Sequence, residues 1–262
     1  MANVRFVWDN VAGDTSSLTA TSSAGDLLPA NMQADERDAV WRSTSLAAQT
    51  IDFRWAADQS VDSICLAWTN LSAAATVQCK GYTVEAGDSG QVFDETVSPD
   101  TGLTIGNVTV QNWIDAAYDI KHLKIVITDA ANPDGYMEIS RAVIGARISP
   151  VNNASYNGYQ IEWVEQSEPV RAESRDLRVE PLGRFRRLQM RLDNLEPASR
   201  DNIIDMVANG LGRGVWVSTF PDSSSATTRQ MNSFWGALVQ KVPWSYPLLD
   251  VWDAPLVFEE MG

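Results

Sequence analysis

Asn132-Pro133-Asp134-Gly135-Tyr136-Met137-Glu138-Ile139-Ser140-Arg141-Ala142-Val143-Ile144-Gly145-Ala146-Arg147-Ile148-Ser149-Pro150 divides the chain. Its first four residues are a turn cluster: proline presets φ, and Asn, Asp and Gly tolerate the bends around it. Tyr136, Glu138 and Ser140 then alternate with Met137, Ile139 and Arg141. The apolar run Ala142, Val143, Ile144 follows, and Gly145 interrupts it. This predicts a half-buried strand with a bulge or bend at the glycine. Upstream, Leu123, Ile125 and Ile127 share one face against Lys124, Val126 and Thr128. Two such strands around a short turn predict a β-hairpin. Pro150 and the polar run Asn152 to Ser155 close the block, which sets a boundary: residues 1–150 as one domain and 151–262 as a second.

The chain has 262 residues, 44% hydrophobic and 21% charged, with net charge −14. That suits a globular protein with a real core. Residues 1–150 carry 9 Lys+Arg against 19 Asp+Glu, and the remainder 11 against 15. Such acidity excludes nucleic acid as a partner, because phosphates call for Lys and Arg. No apolar run approaches the roughly 18 residues of a membrane span. The N-terminus lacks the pattern of a signal peptide, so the expected compartment of folding is a cytoplasm. Cys65 and Cys79 are then expected to be reduced core residues, and the sequons at Asn70, Asn107 and Asn153 to be chance.

Before the divider, Val4–Trp8, Thr50–Trp55, Val61–Trp68 and Val77–Val84 read as strands. Asp14–Asp26 reads as loop or irregular edge, and Glu85–Gly90 as a turn-rich loop. Closely spaced strands without a long helical period argue an antiparallel sandwich or jelly roll. Asp129, Asn132, Pro133, Gly135, Tyr136, Glu138, Ile139, Arg141 and Gly145 fit a D-x-x-N-P-x-G-Y-x-E-I turn and an R-x-x-x-G strand. Leu27-Leu28-Pro29-x-Asn31 and Trp41-Arg42-Ser43 fit an opening N-L-L-P-x-N segment and a W-R-S strand, with Asp26 where Asn is usual. These stretches resemble the galactose-binding-like (discoidin-like) jelly roll found in tail proteins of tailed bacteriophages.

Beyond Pro150, Tyr159–Val164 and Arg184–Leu192 alternate as strands. Leu188, Met190 and Leu192 face one way; Arg187, Gln189 and Arg191 face the other. Ile203, Ile204, Val207 and Leu211 recur at helical spacing, which predicts a helix near 199–211. Pro197 suits its first turn, Ser199 its cap, and Gly210 or Gly212 its end. Val215–Phe220 and Phe234–Val242 read as strands, giving an α+β unit with one helix laid on an antiparallel sheet. Gly183-Arg184-Phe185-Arg186-Arg187-Leu188, the helix and Gly214-Val215-Trp216-Val217 resemble in layout the β-sandwich with flanking helix of phage tail-tube, distal-tail and tail-tip proteins. Together the resemblances imply a mainly β tail-tip or baseplate structural protein. It would form a cyclic ring with itself and bind tube and hub proteins in the virion tail, after assembly in the host cytoplasm.

A Ser-His-acid triad would have to use His122, the only histidine, and no nucleophile elbow is present. His122 is therefore expected to be an ordinary surface or strand-end residue. Asp35, Glu36 and Asp38, or Asp94 and Glu95, could in principle serve as paired carboxylates. The same groups, or Asp14 and Asp26, could hold Ca²⁺. Solvated loops are the simpler reading, so no catalytic residue, metal or cofactor is assigned. Trp41, Trp55 and Trp68 fall in strand patterns and are expected in the core. Trp235, Trp244 and Trp252 lie in proline-rich sequence and pack either on their own domain or on a neighbouring subunit. Arg184, Arg186, Arg187 and Arg191 are either a solvated face with local ion pairs or a docking face for an acidic neighbour. Those seven residues are the candidate subunit interface. The competing function is recognition of a host-surface glycan on loops such as Glu85–Gly90 or Asn112–Asp119.

Overall fold

The structure, a computed structural model, describes residues 3–103, 108–155, 158–167, 169–171, 177–179, 183–210, 213–240, 242–248 and 251–261. It is mainly β, as the alternation predicts. The strands of the first half are β1 (Arg5–Val7), β2 (Ser17–Ala20), β3 (Trp41–Arg42), β4 (Gln49–Thr69), β5 (Thr76–Tyr82), β6 (Gln91–Val97), β7 (Val108–Thr128) and β8 (Glu138–Gly145). All but β1 form one antiparallel array in the order β3-β8-β4-β7-β5-β6, with β2 on β4.

The array becomes a two-layer sandwich because β4 and β7 are 21 residues each and cross both layers. Their register breaks between Arg54 and Gln59 and between Val61 and Ser63. Before the break, Ile51, Phe53 and Trp55 point into the core while Asp52 and Arg54 face outward. After it, every residue from Val61 to Thr69 is buried. Ile64 and Leu66 enter the sandwich core, and Cys65 and Ala67 enter a separate apolar cluster against the second sheet. A strand covered on both faces reads as a continuous apolar run, which is how Val61–Trp68 appears in the sequence. Trp68 follows Ala67 onto the same side, against strict alternation. Its φ of +53° and a register shift between Leu66 and Thr69 allow this.

The predicted hairpin is corrected. β8 pairs with β3 and β4, and β7 pairs with β4 and β5, so β4 lies between the two expected partners. The N-P-D-G turn is present but crosses from one pairing to another. Asp14–Asp26, read as irregular, contains β2 on the edge of β4.

The second half contributes β9 (Gln160–Glu165), β10 (Pro169–Arg171), β11 (Leu177–Val179), β12 (Arg184–Leu195), α1 (Pro197–Gly210), β13 (Gly214–Ser218), α2 (Ala226–Met231), β14 (Ser233–Leu238), β15 (Ser245–Leu248) and β16 (Val251–Glu260). The main sheet runs β1-β13-β14-β16-β12-β9, with β15 on β16, and β10 pairs with β11. The first strand of the chain thus completes the sheet built by the last hundred residues. α1 covers one face of this sheet with Ile203 and Met206, against Leu188, Met190, Leu256 and Phe258. Pro197 opens the helix as expected. Ser199 lies inside its first turn, where its hydroxyl accepts the Val151 N–H at 3.4 Å. Ile204 is exposed, and Leu211 lies outside the described residues. α2 was not predicted; it hides in the Ser-rich segment, with Ser225 accepting the Thr228 N–H at its N-cap.

The opposite face of this sheet meets the sandwich. Val7, Trp216 and Trp235 from β1, β13 and β14 pack on Cys65, Ala67, Trp68 and Val143. Gly214 faces the Trp235 ring so closely that an added Cβ would lie 1.9 Å from it. Glycine is what lets the indole lie flat on the strand.

Candidate functional site

The D-x-x-N-P-x-G-Y motif is a clasp on its own chain. Asp129 accepts Ser72 N–H at 2.8 Å, Ser72 Oγ–H at 2.6 Å and Asn132 Nδ2–H at 3.0 Å. Asn70 donates to Asp134 at 2.9 Å and to the Tyr136 carbonyl at 3.0 Å, and accepts the Glu138 N–H at 2.7 Å. Asn70 is thereby committed to the fold. Arg42 joins the clasp through Glu138 at 2.6 Å and lies 4.1 Å above the Tyr136 ring. Beside it an open cleft of about 390 Å³ is lined by Arg37, Asp38, Arg42, Trp68, Asn70 and Glu138.

The arginine strand does not present four free cations. Arg186 is 1% exposed. Its Nε donates to Glu260 at 2.9 Å, and its Nη1 donates to the carbonyls of Gln230 at 2.6 Å and Ser233 at 3.1 Å. The guanidinium also lies 5.0 Å from the Phe234 ring centre. Parity explains the placement, since Arg186 shares the inward face of Leu188, Met190 and Leu192. Arg187 faces outward in register with Glu162 and Glu259, 3.6 Å from the latter carboxylate. Arg191 bridges Asp193 at 2.6 Å and Asp253 at 2.8 Å. Arg184 is exposed at the strand end. Buried Arg186 is therefore unavailable to a neighbouring subunit, while Arg187 and Arg191 carry local ion pairs.

Of the tryptophans, Trp235 is 1% exposed, with Arg141 4.8 Å from its ring centre. It joins the chain's own two sheets and is likewise unavailable to a neighbour. Trp244 and Trp252 are half-buried on the second core. Trp252 is covered by Arg200 at 4.1 Å and by Tyr246 at 5.1 Å between ring centres. The indoles of Trp41 and Trp55 are buried as expected, donating to the Ser22 carbonyl at 3.0 Å and the Val11 carbonyl at 2.8 Å.

The junction also has a polar bolt. Asp100, 1% exposed, accepts from Arg229 of α2 at 2.6 Å and from Gln111 at 2.7 Å. Burial pushes its carboxyl above the ordinary range, opposed by Arg229 and Gln111. Sequence reading missed this pair, because Asp100 and Arg229 are ordinary loop and helix residues until folding brings them together.

The acidic clusters do not converge. Asp35 pairs with Arg141 at 2.9 Å. Asp94 and Glu95 are consecutive in β6 and so point to opposite faces. Among the described residues, no group of three or more His, Cys, Asp or Glu is placed to hold a metal. His122 corrects the expectation of a surface histidine: it is fully buried, between Asp52 and the Gly87 carbonyl. Asn112 and Ile114 are buried within β7, whereas Asp115 to Ala117 and Asp119 are exposed.

Cys65 and Cys79 are buried free thiols, one at the junction and one in the sandwich core. Burial pushes the Cys79 thiol up to about 12 and the Cys65 thiol well above its ordinary value. The native protein should therefore show no fast reaction with an aromatic disulfide at neutral pH, and two equivalents after denaturation. One rapidly titrating native thiol would contradict this burial.

No protein-family model and no characterised protein sequence matches the chain. Solved structures of similar shape include chitosan-binding module 1 of a Paenibacillus sp. IK-5 chitosanase/glucanase, at 16% identity and TM-score 0.39, covering 52% of this chain and 98% of that one. The CBM32 of AlyQ has 19% identity and TM-score 0.38, covering 50% and 95%. A Streptococcus pneumoniae fucose-binding module has 9% identity and TM-score 0.38, covering 52% and 95%. Likeness at this level carries neither ligand nor partner across to this chain.

Proposed function

We propose that this chain is a structural component of a bacteriophage tail tip or baseplate, working by assembly with copies of itself and with tube and hub proteins. The observation that carries the reading is the junction. Two β units are locked face to face by Val7, Trp216, Trp235, Cys65, Ala67, Trp68 and Val143, and bolted by Asp100–Arg229. A part that transmits load or fixes geometry needs such a rigid seam. Ordinary interdomain contacts are more polar and permit motion. The tail-protein resemblance of both halves supports the same reading. Surfaces left for neighbours include the edge of β9 that no other described strand pairs with, where Trp163 is 37% exposed, and Arg184. Native mass spectrometry of the purified chain, alone and with the phage's tube protein, tests it. Closed rings or a defined complex are expected; a monomer indifferent to tail proteins would overturn the reading.

One observation favours a second reading, glycan binding by the sandwich. The cleft beside Trp68 is lined by Arg37, Asp38, Arg42 and Glu138, residue types that pair with sugar hydroxyls. A glycan array separates the two: reproducible binding that Arg42→Ala abolishes supports the module, and an empty array removes it.

A further inference from the structure

His122 is the only histidine in the chain, and its ring is fully buried on the outer face of the first sandwich layer. Its Nδ1 is 3.1 Å from the Gly87 carbonyl oxygen and its Nε2 is 2.6 Å from Asp52 Oδ1. A carbonyl only accepts, so Nδ1 must carry a proton and donate. An ionised carboxylate also only accepts. Either Nε2 donates as well, making the ring an imidazolium, or the carboxyl holds the proton and donates to Nε2. In both cases the pair binds one proton more than a neutral imidazole beside a carboxylate.

That proton ties down a loop. Glu85 to Gly90 joins β5 to β6 and folds back over β7 and β4. Arg54 donates to the Glu85 carbonyl at 2.9 Å, and Ser16 donates to the Glu85 carboxylate at 2.7 Å. Lys124 pairs with Asp88, and Thr83 N–H donates to the Gly90 carbonyl at 3.0 Å. Gly87 and Gly90 have φ of +80° and +72°, values that favour glycine, so the loop's path depends on them. The charged and titratable groups facing the ring are Asp52 and Arg54 from β4, Tyr82 from β5, Lys124 from β7, and Glu85 and Asp88 from the loop. Tyr82 stacks on the imidazole at 5.0 Å. Arg54 and Lys124 oppose a positive ring but are answered by the loop's own acceptors, leaving Asp52 as its counter-charge.

We infer that His122 and Asp52 form a proton-dependent clasp that holds the Glu85–Gly90 loop on the sandwich and releases it when the shared proton leaves. Without that proton, the lone pair of one ring nitrogen faces an acceptor. The ring then turns away from either Asp52 or Gly87, and the centre of the loop loses its buried anchor. The latch is made while the pair holds that proton and is lost when the proton leaves.

The single histidine makes its side-chain nitrogen NMR signals unambiguous. In the latched state the pair should show its proton, either as two protonated ring nitrogens or as a protonated Asp52 carboxyl hydrogen-bonded to Nε2. As rising pH removes that proton, the 15N order parameters of Gly87 and Asp88 should fall from about 0.85, a rigid backbone, to below about 0.6, a flexible loop. Asp52→Asn supplies an N–H donor opposite Nε2, which a neutral ring accepts. In that variant the loop stays ordered and the pH dependence disappears. A pair lacking the extra proton at every pH where the chain is folded would overturn the clasp. So would a D52N protein whose loop order parameters keep the parent's pH dependence.

Discussion

Arg186→Ala should destabilise the folded chain by about 3–5 kcal/mol, the cost of leaving one partner of a buried ion pair alone. The side chain holds three things at once. It neutralises Glu260 on β16, it satisfies the carbonyls of Gln230 and Ser233 around the end of α2, and it fills space beside Phe234. Removing it strands a half-buried carboxylate and orphans two carbonyls. Arg186→Lys should recover little, because an ammonium cannot reproduce the bidentate contact with Glu260 while reaching the α2 carbonyls. Urea unfolding followed by tryptophan fluorescence measures the difference. A loss below about 1 kcal/mol, the scale of an exposed pair, would show that Arg186 is solvated.

The second large effect is expected at Trp216. Trp216→Ala should cost about 3–5 kcal/mol, the range for truncating a buried aromatic side chain. The residue is fully buried between Val7, Trp235 and the outer face of β4 and β8. The cavity would open at the seam between the two β units rather than inside either core. The variant should therefore unfold in two separated transitions, with the sandwich outlasting the second sheet or the reverse. Gly214→Val probes the same seam from the other side, since its side chain would collide with the Trp235 ring. If Trp216→Ala leaves one cooperative transition at an unchanged midpoint, the seam contributes nothing to coupling the units.

Much of this fold is legible in the sequence because its strands obey a period of two. Ile51, Phe53 and Trp55 point inward as their alternation predicts, and so do Leu188, Met190 and Leu192. The same parity, applied one step further, puts Arg186 among the buried residues. A run of four arginines within eight residues suggests an exposed cationic face, and that composition obscures the one member turned inward. The hairpin at Asn132–Gly135 was misread for a different reason. Local turn chemistry is visible in sequence, whereas the insertion of β4 between β7 and β8 is a contact across some seventy residues. β2 escaped notice because Ser17, Leu18, Thr19 and Ala20 cover an edge strand with few apolar side chains. Asp100–Arg229 and His122–Asp52 join residues 129 and 70 positions apart, and no spacing rule reaches that far.

The assembly reading differs from the glycan reading in where the protein resides. Immunogold electron microscopy of purified phage particles, with antibodies raised against the native chain, tests that most directly. Gold at the distal end of the tail is the predicted result. Particles that stay unlabelled, while the same antibodies bind the soluble protein and detect none of it in dissociated virions, would contradict a structural role in the tail.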